Sequence, residues 1–224
     1  MVAPCASVVP LAVSVEEDVQ GVGEEIEGKR SFSAYFWAAF AEHVAAQKVP
    51  VMLLNAAFGG TSLEHWAKSA RGEQFEHPFV NSSVRMPYIR LEHALTQYCA
   101  VTGLRAILAD QGQNDWPEKD ENKITANYKA WIEQARKDAG APHLAVVVNR
   151  QSPPDGFGQI RRVQDRLVKE HPHCFPGPDY DTFAKEDTVD KVHLSEAGAR
   201  KAARLWAEAL NADFFKAAEP VPGN

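Results

Sequence analysis

Asp190 and His193 stand three positions apart in the stretch DKVHLSEAG, directly ahead of a run with helical spacing. A carboxylate placed there can take an imidazole N–H, fix the ring tautomer and stabilise the imidazolium, so that the second ring nitrogen works as a general base. The plainer alternative is a solvated aspartate beside a helix-capping histidine, because closeness in sequence alone establishes no catalytic geometry. A second polar concentration is Asp110, Gln111, Gly112, Gln113, Asn114 and Asp115, which follows the apolar run Leu104–Ala109 without a break. A third is Gly59, Gly60, Thr61 and Ser62, which closes the run Val49–Ala57. Paired glycines at a strand end expose backbone N–H groups that can hold an anion or a developing oxyanion. They also mark ordinary tight turns.

The elements that must carry these residues can be read from hydrophobic period. Leu104–Ala109, Val49–Ala57 and His143–Asn149 are short, nearly continuous apolar runs, the pattern of strands buried on both faces. Each ends in polar residues, and in an open α/β sheet the ligand crevice lies outside the carboxyl ends of the strands. Apolar residues at three- and four-residue spacing predict helices from Ser31 to Val44, Met86 to Ala100, Asn122 to Ala139, Phe157 to His171 and Ser195 to Leu210. His43 falls on the packing stripe of the first. Glu16–Arg30 is acidic and without period and reads as an exposed loop, as does Arg71–Ser83. Cys174–Phe183 holds at most an edge strand, given its prolines. Strands alternating with helices define an α/β chain with a parallel sheet covered on both faces. Residues 1–224 form one domain, with 1–30 irregular and the core between 31 and 210.

Composition narrows the partners. The chain has 224 residues, 45% of them hydrophobic, enough for one large core. Its formal charge of -6 arises from 24 basic and 30 acidic residues without long like-charge blocks, which argues against a nucleic-acid or anionic-membrane footprint. Cys5, Cys99 and Cys174 are widely spaced, odd in number and unpaired in sequence, so they suggest neither a disulfide framework nor a zinc site, and no metal or other cofactor is expected. The N-terminal run lacks a basic n-region and is broken by Pro4 and Pro10, so it does not read as a signal peptide. No apolar stretch approaches the ~20 residues of a membrane span.

Taken in order, NAAFGGTSLEHW, QGQND and DKVHLSEAG resemble the SGNH (GDSL-like) hydrolase superfamily. The likeness is greatest to its carbohydrate-esterase branch, the sialate O-acetylesterase-like and acetylxylan esterase-like proteins, and runs from about Ser31 to Leu210. The resemblance implies a three-layer α/β/α, flavodoxin-like fold and metal-free hydrolysis of ester-linked acetyl groups on a carbohydrate. It implies His193 and Asp190 as the catalytic pair, Gly60 and Asn114 as oxyanion donors, and Gly59, Thr61, Gln111 and Gln113 as substrate contacts. One block is missing from the pattern. The family's nucleophilic serine sits in a GDS or GQSN block at the end of the first strand, and no such block occurs here. Ser14 follows the apolar run Val8–Val13 and is the one displaced counterpart, but it lacks the preceding glycine. The economical expectation is a chain that begins after its own nucleophile and lacks the family's first strand. Two functional classes follow: a serine esterase acting through an acyl-enzyme, or a relative that binds an acylated sugar without turnover.

Overall fold

The computed structural model describes residues 11–14, 25–26, 29–30, 40, 51–151 and 158–224, with the backbone alone at 11–14, 25–26 and 29–30. Five parallel strands form the sheet: β1 (Leu11–Ser14), β4 (Leu53–Asn55), β5 (Ala106–Ala109), β6 (Ala145–Arg150) and β7 (Cys174–Asp179). A separate antiparallel pair, β2 (Glu25–Ile26) and β3 (Lys29–Arg30), lies within the segment expected to be loop. The sheet order is β4-β1-β5-β6-β7. The chain therefore leaves β1, adds β4 on one side, and returns to add β5 on the other. That reversal puts the topological switch point, where such sheets bind ligands, at the carboxyl ends of β1 and β5.

The expectation that the first strand is absent is overturned. Leu11–Ser14 fills the internal position, pairing Leu11 with Leu53 on one side and Ser14 with Ala109 on the other. An apolar tetrapeptide suffices to continue the ladder there, without the glycine that marks the family's first block.

Residue alternation explains the layers. Ile107, Ala109, Val146 and Val148 face one core, packed beneath α1 (Leu63–Ala70), the helical run Ile89–His93, and α3 (Glu121–Asp138) and α4 (Gln159–Glu170). That helical run, α2, continues through a π-helical stretch, Ala94–Cys99, to Ala100–Thr102. Ala106, Leu108, Ala145 and Val147 face the second core, beneath α5 (Glu196–Ala209) and α6 (Ala212–Ala217). Because successive strand residues point to opposite faces, a strand covered on both sides has to be apolar throughout, as β5 and most of β6 are. Helix starts follow capping chemistry: Asp120 accepts the Asn122 N–H ahead of α3, Ser195 accepts the Gly198 N–H ahead of α5, and Asn211 caps α6. The helix expected from Ser31 lies outside the described residues except at Phe40, which is helical and fully buried in the second core. His43 and Cys5 also lie outside them. Cys99 and Cys174 are buried free thiols, each pushed up to about 11 by burial. Among the described residues no helix is long and apolar enough to cross a membrane, and no cluster of metal-ligating side chains occurs.

Candidate active site

The turn that carries Asp190 and His193 leaves the carboxyl edge of the sheet after β7 and runs into α5. Asp190 Oδ1 accepts the backbone N–H groups of Val192 at 3.0 Å and His193 at 2.8 Å, an Asx turn that fixes the carboxylate. Lys191, between them, takes up the left-handed conformation this tight reversal needs, at φ 76°. The other oxygen, Oδ2, meets His193 Nδ1 at 2.7 Å. Asp190 therefore occupies the Nδ1 edge of the ring and favours the tautomer in which Nε2 is the basic nitrogen. Burial alone would raise the Asp190 carboxyl, but the His193 backbone and ring N–H groups and the Val192 N–H outweigh it and hold the group below its usual range. The turn is anchored in its turn: Val189 N–H donates to His193 O at 2.8 Å, and Ser195 N–H to Asp187 O at 2.9 Å.

Past the ends of β4 and β5, the glycine loop and the QGQND loop are laced together. Gln111 Nε2 donates to Thr61 O at 2.7 Å, Asn114 Nδ2 donates to Gly60 O at 3.0 Å, and Asp115 takes the Leu63 N–H on both carboxylate oxygens at 3.0 Å. Gly60 adopts φ 67°, a left-handed backbone, and an added Cβ would stand 2.7 Å from Phe79 Cζ. The left-handed backbone favours glycine, and the exposed Phe79 ring would have to move to admit a Cβ. His77 Nε2 approaches the same Gly60 carbonyl at 3.3 Å, so the peptide plane after Gly60 is held from two sides. Asn114 is exposed, and its amide nitrogen carries a second N–H beyond the one bound to Gly60.

Two of the residues expected at the substrate are buried. Thr61 is fully buried, its hydroxyl donating to Phe58 O at 2.7 Å and accepting Trp66 Nε1–H at 2.9 Å. Gln111 is also buried, and its carbonyl takes the Tyr128 hydroxyl at 2.5 Å. The Thr61 hydroxyl and the Gln111 side-chain N–H are thus both bound within the loops. Gly59 and Gln113 remain partly exposed at the rim. Asp115 turns out to be a buried cap for α1, pushed up to about 7 by desolvation.

Past the end of β5 lies a polar network that hydrophobic period does not reveal. Asp110, just past β5, accepts the Asn149 side-chain N–H and the Tyr180 hydroxyl at 3.2 Å, and Tyr180 accepts Trp206 Nε1–H at 2.8 Å. Burial pushes Asp110 up to about 7 although both hydrogen bonds oppose the shift. This chain of contacts ties the end of β5 to β6, to the segment after β7 and to α5, the helix that the Asp190–His193 turn precedes. Also missed was the aromatic loop Phe75–Phe79. Its signal, aromatic residues and a histidine crowded into FEHPF, lay within Arg71–Ser83, which reads from sequence only as a loop.

A five-stranded parallel sheet in this order, covered by helices on both faces, is the three-layer α/β/α architecture that the SGNH hydrolase resemblance implies. Residues 12–212 match the family described as carbohydrate esterase, sialic acid-specific acetylesterase, and the chain belongs to that family. Among solved structures, a carbohydrate acetylesterase from Xanthomonas citri is similar at 15% identity and TM-score 0.59, over 90% of this chain and 55% of that one. The chain thus spans about half the length of that enzyme. A protein from Arabidopsis thaliana is similar at 20% identity and TM-score 0.63, over 95% of this chain and 83% of that one. A family two carbohydrate esterase from Clostridium thermocellum, solved with cellohexaose, is similar at 14% identity and TM-score 0.53, over 94% and 66%. At these identities the likeness is one of fold. No curated protein matches the chain.

Proposed function

We propose that the protein is a serine esterase that removes O-acetyl or similar acyl groups from a carbohydrate. The observation that carries this reading is the Asp190–His193 contact of 2.7 Å on a turn whose backbone is pinned to the same carboxylate. Family membership supports the reaction class, and the carbohydrate carrier follows from the family description. His193 Nε2 removes the proton from a serine hydroxyl as its oxygen bonds to the acyl carbon. The tetrahedral oxyanion then takes N–H groups from Gly60 and Asn114, and the proton passes from the imidazolium to the departing sugar oxygen. Water, activated by the same base, releases the acid from the acyl-enzyme.

Ser14 is our candidate nucleophile, because β1 ends at it, beside Ala109 of β5 and at the topological switch point. A second reading has its own observation. Ser14 is flanked by Val13 and Val15, with neither glycine nor asparagine beside it, and a relative without a working nucleophile would bind the acylated sugar without turnover. Acetate release from an acetylated monosaccharide, followed in the wild type, His193→Ala and Ser14→Ala, separates the two. The esterase reading expects turnover in the wild type and a loss of several orders of magnitude in both variants, since base and nucleophile act as a unit. A folded wild-type chain that releases no acetate overturns it.

A further inference from the structure

The aromatic loop that follows α1 is more ordered than its exposure suggests. Phe79 is 62% exposed, although phenylalanine is among the residues most often withdrawn from water. Its ring is nevertheless held. His77 stands edge-on to it at 4.5 Å and 89°, and Phe58 lies near-parallel at 6.3 Å. His77 in turn packs edge-on against His65 at 4.9 Å, and His65 stacks on Phe75 at 4.7 Å. The Phe75 backbone is clamped by Ser82, whose hydroxyl takes the Phe75 N–H at 3.1 Å and donates to its carbonyl at 2.7 Å.

What this scaffolding presents is an apolar ring beside the glycine of the candidate oxyanion hole. The tip of Phe79 lies so close to Gly60 that a Cβ there would meet it at 2.7 Å. From the other loop, Asn114 reaches the same glycine at 3.0 Å and is itself exposed. One flat apolar surface and one planar amide therefore flank a single backbone position. Small-molecule sites commonly combine aromatic walls with a few placed polar groups that fix orientation. A pyranose matches that pattern, since one face is a sheet of C–H bonds and the edge is a ring of hydroxyls.

We propose that Phe79 is the platform for the carrier sugar. The apolar face of a pyranose bearing the acyl group lies on the Phe79 ring, its hydroxyls face Asn114 and Gln113, and its acyl carbonyl points to Gly60. The assignment rests on the reading of Gly60 and Asn114 as the acyl end of the site. It makes Phe79 a determinant of carrier specificity, and His77 the residue that sets the ring.

Calorimetric titration of the full chain with a monoacetylated methyl glucoside tests the platform without requiring turnover. The wild type is expected to bind, Phe79→Ala to bind roughly 3- to 10-fold more weakly, the size of one aromatic contact, and Phe79→Tyr to keep wild-type affinity. Equal affinity in Phe79→Ala, weakness in Phe79→Tyr equal to that of Phe79→Ala, or no binding by the wild type overturns the proposal. Acetate release by the wild type from ethyl acetate, which has no ring to stack, is measured separately. A chain that binds the glucoside through Phe79 but releases no acetate loses the esterase reading and keeps the platform. One that releases acetate while Phe79→Ala binds the glucoside normally keeps the esterase reading and loses the platform.

Discussion

Replacing Asp115 with alanine probes the lacing that shapes the crevice, and the structure determines both the size and the pH dependence of the effect. The Asp115 carboxyl is 4% exposed, and both oxygens lie 3.0 Å from the N–H of the fully buried Leu63. Truncation leaves that N–H without its acceptor, at about 1–3 kcal/mol. The carboxyl is pushed up to about 7 from 3.8 by burial, which the Leu63 N–H and the Gln111 side chain offset only in part. A folded-state value above the unfolded one gives stability that is complete below pH 3.8 and is lost as pH rises through 7. Between pH 5 and pH 7 the wild type should lose about 1.4 kcal/mol per pH unit from this group, an order-of-magnitude figure. Asp115→Ala removes that loss along with the hydrogen bond. Urea unfolding should therefore show the variant less stable than the wild type by about 2 kcal/mol at pH 5, with the gap closed or slightly reversed at pH 8. A larger gap at pH 8 than at pH 5 would refute the reasoning, because it would mean that the fold holds Asp115 as a stabilised anion.

Three further outcomes follow from other contacts. Asn114→Ala should lower kcat on an acetylated sugar by roughly 10²- to 10³-fold while KM moves far less, as measured by initial rates. Gly198→Ala should lower Tm by roughly 5 °C or more in thermal unfolding, because its Cβ would fall 1.8 Å from the Asp187 carbonyl oxygen that also holds the start of α5. His65, whose Nδ1 accepts the Ser62 N–H at 3.1 Å, is lowered from 6.5 first by burial and then by His77. The unfolded chain therefore takes up this proton at higher pH than the folded one, and the contribution is complete above pH 6.5 and lost as pH falls. In His65→Asn, unfolding free energies measured from pH 7 to pH 5 should lack that decline.

The strands were legible where burial on both faces forces apolar residues at every position, as in Ala106–Ala109 and Ala145–Val148. The Asp190–His193 contact was legible because both residues lie within one turn. β1 was not, since four residues without a glycine landmark resemble any short apolar run, and only pairing with Leu53 and Ala109 distinguishes them. The prolines of Cys174–Asp179 obscured a strand that pairs on one side only, where missing N–H donors are tolerated. Thr61 and Gln111 looked available from their types. Both are buried, and Gln111 Nε2 meets Thr61 O across 50 positions of sequence, a contact of which local pattern carries no record. The same holds for Phe79, whose place beside Gly60 is set by the fold of a segment without period.

The proposed nucleophile and base are tested together by an alkyl fluorophosphonate, which bonds its phosphorus to an activated serine oxygen with loss of fluoride. Peptide mapping by mass spectrometry after exposure at neutral pH should find one adduct, on the peptide containing Ser14, in the wild type and none in His193→Ala. A folded wild-type chain that takes no adduct, or takes one elsewhere or independently of His193, would contradict the assignment of Ser14 and His193 as a working pair.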